Sequence, residues 1–182
     1  MKVSLDISAP SPLWRGLPRA RAIARETIAV AVAESGAVSS DGTELSLCLA
    51  DDAALRALNA RWRGIDKPTN VLSFPAAVDA VADRVDRAPK DVRKGARLTT
   101  GHGARLQLGD IALAYETMVR EVETSGVRLA DHYRHLVAHG FLHLMGYDHQ
   151  TNEQAERMEA LETRILARLG VADPYADGAV EE

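Results

Sequence analysis

Apolar and polar positions alternate over residues 3–8, and again over 44–50, where Leu45, Leu47 and Leu49 fall on one side. A period of two sends successive side chains to opposite faces of a sheet, so both segments are predicted to be half-buried strands. Between them, residues 18–35 are alanine-rich, carry Ile23, Ile28, Val30 and Val32, and stop at Gly36. That pattern predicts a helix with a glycine just past its end. Asp51 is placed to accept from the free amides of a second helix, which runs to about Arg61. After the Lys67-Pro68 break, residues 70–74 read as another strand, and residues 108–114 as a further one. Residues 115–125, 129–145 and 151–169 read as three helices. Strands mostly early and helices mostly late imply an α+β fold, a small mixed sheet covered by helices.

A chain of 182 residues with 46% hydrophobic composition can build one proper core. One domain is expected over residues 1–170. It is interrupted at 76–107 by a long insertion in which Arg and Lys outnumber Asp and bulky apolar residues are few. The plain reading of the insertion is a solvated connection, and the sharper one an arm that touches phosphates. Residues 171–182 are acidic and expected to be a disordered tail. The N-terminus has no apolar run of signal-peptide length, and no stretch of about eighteen apolar residues occurs. No membrane partner is expected. Cys48 is the only cysteine, so no intrachain disulfide can form, and it reads as a strand residue of a cytoplasmic protein. A net charge of −4 argues against coating nucleic acid through global electrostatics, so any such contact must be local.

The chemistry concentrates in His139-Gly-Phe-Leu-His143-Leu-Met-Gly146-Tyr-Asp-His149. Histidines four apart on a helix present their rings from one face, one turn above the other. Gly146 can adopt a positive φ, end the helix and turn the chain back, so that His149 approaches the same point. Three imidazoles suit zinc, and a three-ligand set keeps a coordination position open, as catalytic rather than structural zinc sites do. The expectation is one Zn2+ held by His139, His143 and His149, on a helix of the C-terminal half and the turn after it. His132 and His135 share the helical stripe. Geometry alone also permits a His135 and His139 pair, but only His139 with His143 lies close enough to the Gly146 turn. His135 is therefore placed outside the ligand set, lining the site one turn away. His102, in the insertion, is a minor candidate for an extra ligand.

The spacing is also similar to that of the metzincin proteases, in which a Glu follows the first His as general base. Here that position is Gly140, which disfavours peptidase activity. The string HGFLHLMGYDH, together with RGIDKPTNVLSFP from Arg63 to Pro75 and LGDIALA from Leu108 to Ala114, resembles the bacterial YbeY family of metal-dependent ribosomal RNA maturation endoribonucleases. The resemblance implies an α+β fold and zinc on the three motif histidines, which fall on His139, His143 and His149. It implies a functional arginine at Arg63. It also implies roles in rRNA processing, ribosome assembly and quality control, with ribosomal RNA, the small ribosomal subunit and assembly factors as partners.

Phosphodiester cleavage gathers negative charge on phosphoryl oxygens, and the planar fork of an arginine donates to two of them at once. Arg63 is the candidate for that role. Arg56, Arg61, Arg63 and Lys67 form a local basic cluster around Trp62, and Arg61, Lys67 and His135 are candidates for RNA contact. Trp62 itself is expected in the core. Asp110 can be read as orienting a metal-bound histidine through its second nitrogen or as a strand-end structural residue, and Asp148 carries the same ambiguity. No general base is visible, which leaves both a metal-activated water and a 2′-hydroxyl open as nucleophile. The leading expectation is a single-strand-specific endoribonuclease. Its rivals are a non-catalytic ribosome-assembly factor with a structural metal and a metallohydrolase of another substrate.

Overall fold

The computed structural model describes residues 3–36, 42–76 and 106–176. Most of the expected insertion, His102 and the end of the tail lie outside the described residues. The chain runs β1 (Val3–Ser8), α1 (Ala20–Glu34), β2 (Thr43–Ala50), α2 (Asp52–Arg63), β3 (Val71–Pro75), β4 (Leu106–Ala114), α3 (Tyr115–Ser125), α4 (Leu129–Leu144) and α5 (Asn152–Arg168). A 3-10 turn at Pro12–Gly16 precedes α1. The fold is α+β with a four-stranded mixed sheet, as the alternation and helical periods predict.

The sheet order is β1-β2-β4-β3, with β1 and β4 parallel to β2 and β3 antiparallel to β4. Its two faces are unequal. The larger core holds Leu45, Leu47, Leu49, Ile111 and Leu113 under α1, α4 and α5. The smaller core, under α2, holds Leu55, Leu72, Ala112 and Ala114, with Cys48, Leu58 and Phe74 partly buried against it. Strand parity accounts for the division, because Ile111 and Leu113 face one way and Ala112 and Ala114 the other.

Asp51 caps α2 as expected, accepting from the Ala54 amide at 3.0 Å. The helix runs one half-turn beyond the predicted end and takes in Arg63, stopping at Gly64 with φ 72°. Helix α4 lies close against the sheet because Gly140 has no side chain. A Cβ there would stand 3.0 Å from Ile111 Cγ2 and 3.1 Å from Ser73 Oγ. The Ser73 hydroxyl instead donates to the Gly140 carbonyl at 3.1 Å, tying edge strand β3 to the helix that carries the histidines.

Candidate metal centre

The last turn of α4 builds the site from purely local features. His139 and His143 sit one helical turn apart, with ring centroids separated by 4.5 Å. Gly146, at φ 86°, donates to the His143 carbonyl at 3.0 Å, and the Tyr147 amide donates to the Leu142 carbonyl at 3.0 Å. This pair of bonds is the Schellman closure, which requires a left-handed residue at the position Gly146 holds. The reversed chain delivers His149 from a second direction, its ring centroid 5.6 Å from that of His139 and 5.1 Å from that of His143. One ring nitrogen from each of the three lies within 4.8 Å of the others.

Hydrogen bonding then fixes which nitrogens face inward. His139 Nδ1 is 2.7 Å from the Glu162 carboxylate, and His143 Nδ1 is 3.0 Å from the Tyr147 carbonyl. Both partners only accept, so both Nδ1 atoms carry the proton and donate it. In the neutral rings each Nε2 is consequently a bare lone pair, and these two atoms stand 2.9 Å apart. Two acceptors that face each other so closely call for a shared proton or a cation. The separation is near the spacing of about 3.3 Å that two nitrogens take on one tetrahedral zinc. Burial, and then the neighbouring His139 and His149, lower the His143 pKa to about 4, so its ring is neutral and able to ligate near pH 7. The donor set therefore fits a borderline divalent ion such as zinc.

Glu162 was not foreseen from the sequence. It lies on α5 and is fully buried, between Leu161 and Ile165, which are core residues. Burial acts to raise its pKa, but hydrogen bonds from His135 and His139 prevail and hold it at about 2. Its second oxygen accepts from the Tyr175 hydroxyl, and His135 Nε2 lies 3.3 Å from both that oxygen and the hydroxyl. The signal available in the sequence was a carboxylate on the apolar stripe of an amphipathic helix, a place where an acid persists only if it is paired. His135, His139 and Glu162 form a second group whose ligand atoms lie close together.

The remaining candidates fall elsewhere. Asp110 shares strand parity with Ala112 and Ala114, which turns it to the α2 face, away from α4. Asp148 accepts from the His149 amide at 2.9 Å. His132 is engaged by Glu121 at 2.6 Å. His135, half-buried, turns its Nε2 to Glu162 at 3.3 Å.

Arg63 ends α2 rather than lying in a loop, and is exposed, as are Arg61 and Lys67. Among the described residues no acceptor engages Arg63. Arg56 is different, since Asp66 takes both prongs of its guanidinium at 2.6 and 2.7 Å and neutralises it. Trp62 is not a core residue as expected. It is 63% exposed, because α2 buries only Leu55 and Asn59 and the turn that carries Trp62 lies beyond that contact. The indole instead meets Phe74, with ring centroids 6.1 Å apart, and carries the Arg61 guanidinium 5.2 Å from its own centroid.

Residues 171–176, expected as the start of a disordered tail, are folded into a turn in which Asp173 accepts from Thr163 Oγ1 and from the Tyr175 amide. No helix among the described residues is long and apolar enough to cross a membrane.

The family described as Endoribonuclease YbeY matches residues 17–170. The Endoribonuclease YbeY of Rhodopseudomonas palustris strain BisA53 is 49% identical over 90% of this chain and 85% of its own length. That of Bradyrhizobium sp. strain BTAi1 is 47% identical over 94% and 92%. That of Paramagnetospirillum magneticum strain AMB-1 is 46% identical over 97% and 99%. With the match extending from the end of the 3-10 turn through α5, the chain belongs to the YbeY endoribonuclease family.

Proposed function

We propose that this chain is a single-strand-specific, metal-dependent endoribonuclease that acts on ribosomal RNA precursors and holds one zinc ion through His139, His143 and His149. The observation that carries the reading is the pair of Nε2 lone pairs 2.9 Å apart, each ring held in that tautomer by a partner that only accepts. Zinc held there supplies Lewis acidity to a phosphoryl group and to water. The Nδ1 bonds keep the rings from rotating, so the ligand nitrogens are in place before substrate arrives.

Arg63 provides the other half of the chemistry. With no competing acceptor among the described residues, its guanidinium is available to donate to two oxygens of the scissile phosphate as charge gathers on them. Arg61 and Lys67, exposed beside it, can hold flanking phosphates. We take residues 1–170 as the one catalytic domain. It would work in the cytoplasm with the small ribosomal subunit and its assembly factors, in ribosome maturation and quality control.

The test is cleavage of matched single-stranded and double-stranded RNA, with chelator and with zinc restored, mapping both product ends. Cutting confined to the single strand, stopped by chelator and recovered with zinc, is the expected outcome. A zinc-loaded protein that binds the RNA without cutting it would instead be an assembly factor with a structural metal.

A further inference from the structure

Every polar atom of the Glu162 side chain is committed, although the residue is entirely within the hydrophobic core. One carboxylate oxygen accepts from His139 Nδ1 at 2.7 Å, and the other accepts from the Tyr175 hydroxyl with His135 Nε2 at 3.3 Å. Tyr175 comes from outside the helical framework, on the turn that follows α5. That turn is fastened by Asp173, which accepts from Thr163 Oγ1 at 3.1 Å and from the Tyr175 amide at 2.9 Å. The Tyr175 ring also packs edge-on against His135, with centroids 5.8 Å apart. A chain of contacts thus runs from the C-terminal turn through one carboxylate to the first histidine of the triad.

We infer that Glu162, clamped by Tyr175 of the C-terminal turn, is the positioning residue that fixes His139 with its proton on Nδ1 and its Nε2 aimed at the metal, which makes the 171–176 turn a working part of the site. The inference rests on the reading that the ion sits among His139, His143 and His149. An imidazole without such a partner exchanges its proton between the two nitrogens and turns about its side-chain bonds, and both freedoms weaken it as a ligand. A carboxylate can hold the ring only if it cannot itself rotate, and that is the service of the second oxygen's partners. Tyr175 and His135 occupy that oxygen, leaving the first for His139 alone. On that reading the same carboxylate is not required as a ligand, because His143 and His149 offer the other nitrogens of the triad.

The experiment uses the full-length chain as wild type, Glu162→Gln, Tyr175→Phe, the double variant and His149→Ala. Zinc affinity is measured by competition with a chromogenic chelator. The 15N shifts of the His139 ring are measured in the metal-free proteins. Glu162→Gln should weaken zinc binding roughly 10- to 100-fold, the usual range for removal of a partner behind a metal ligand. Tyr175→Phe, which deletes one of the two partners of the second oxygen, should weaken it less, and should add little in the Glu162→Gln background because both act through one carboxylate. Metal-free wild type should show His139 protonated on Nδ1, and Glu162→Gln a mixture of tautomers.

Unchanged affinity and an unchanged tautomer in either single variant, beside loss of zinc in His149→Ala, would overturn the inference and leave the triad standing. Loss of zinc in Glu162→Gln with full binding in His149→Ala would move the ion to the His135, His139 and Glu162 group. That result would remove the triad reading and the positioning role together.

Discussion

The end of α4 and the end of α2 both carry residues expected to act on RNA, yet they are built in opposite ways. At the end of α4 each functional nitrogen is over-determined, with His139 held by a buried carboxylate, His143 by a backbone carbonyl and His149 delivered by a Schellman turn. At the end of α2, Arg61 and Arg63 in the last turn and Lys67 beyond the Gly64 C-cap are all exposed. A metal tolerates little positional error in its ligands, whereas a flexible cation can find a phosphate after it arrives. Rigidity therefore belongs where the geometry is set in advance, and exposure where substrate must be met.

The sharpest way to break this comparison is to remove the exposed charge. Arg63→Ala should lower single-stranded RNA cleavage by on the order of 10² to 10³, the typical cost of one donor to developing negative charge. Circular dichroism and metal content should stay at wild-type values, because no described residue depends on Arg63 for a bond. Lysine should restore little, having the charge without the fork. Undiminished cleavage by a folded, metal-loaded variant would remove Arg63 from the reaction.

Gly140 tests the rigid side. An added methyl would meet Ile111 Cγ2 and Ser73 Oγ at 3.0–3.1 Å, so those side chains or α4 must give by a few tenths of an ångström. Overpacking of that kind costs about 1–3 kcal/mol, partly offset by the roughly 1 kcal/mol that alanine gains over glycine in a helix interior. Gly140→Ala should lower Tm by about 2–4 °C for each kcal/mol lost. A raised Tm in a thermal melt would mean that the helix is free to retreat.

A smaller effect concerns pH in the metal-free chain. Burial and the neighbouring imidazoles hold His143 at about 4 in the folded state, against its ordinary 6.5. The unfolded chain therefore binds a proton that the folded chain refuses across that interval, and this contribution to stability is lost as pH falls from about 6.5 to 4. The Glu162 contribution persists above its ordinary 4.5 and is lost only as pH falls toward about 2. Urea unfolding at pH 7, 5.5 and 4.5 should give progressively lower midpoints, and His143→Asn should flatten the trend. An equally steep trend in that variant would assign it to other groups.

What was legible in the sequence was whatever the chain specifies over short distances. Alternation placed the strands, the four-residue spacing placed two histidines on one face, and Gly146 announced the turn that brings the third. Glu162 lay beyond reach because its partners are set by how α5 crosses α4, and nothing within a few residues of it mentions histidine. Trp62 was misplaced for a similar reason. An aromatic at a helix end is core or surface according to where its neighbours stop, and among the described residues Phe74 is the ring that Trp62 meets. Tyr175 was hidden in an acidic segment whose composition reads as tail, although one turn bonded to Thr163 suffices to order it.

The central claim is that the three histidines together hold one ion. The most direct measurement is elemental analysis of purified wild-type and His149→Ala protein, with folding of both checked by circular dichroism. The account predicts one zinc per chain in the wild type and little or none in the folded variant. Full zinc occupancy in His149→Ala would contradict it.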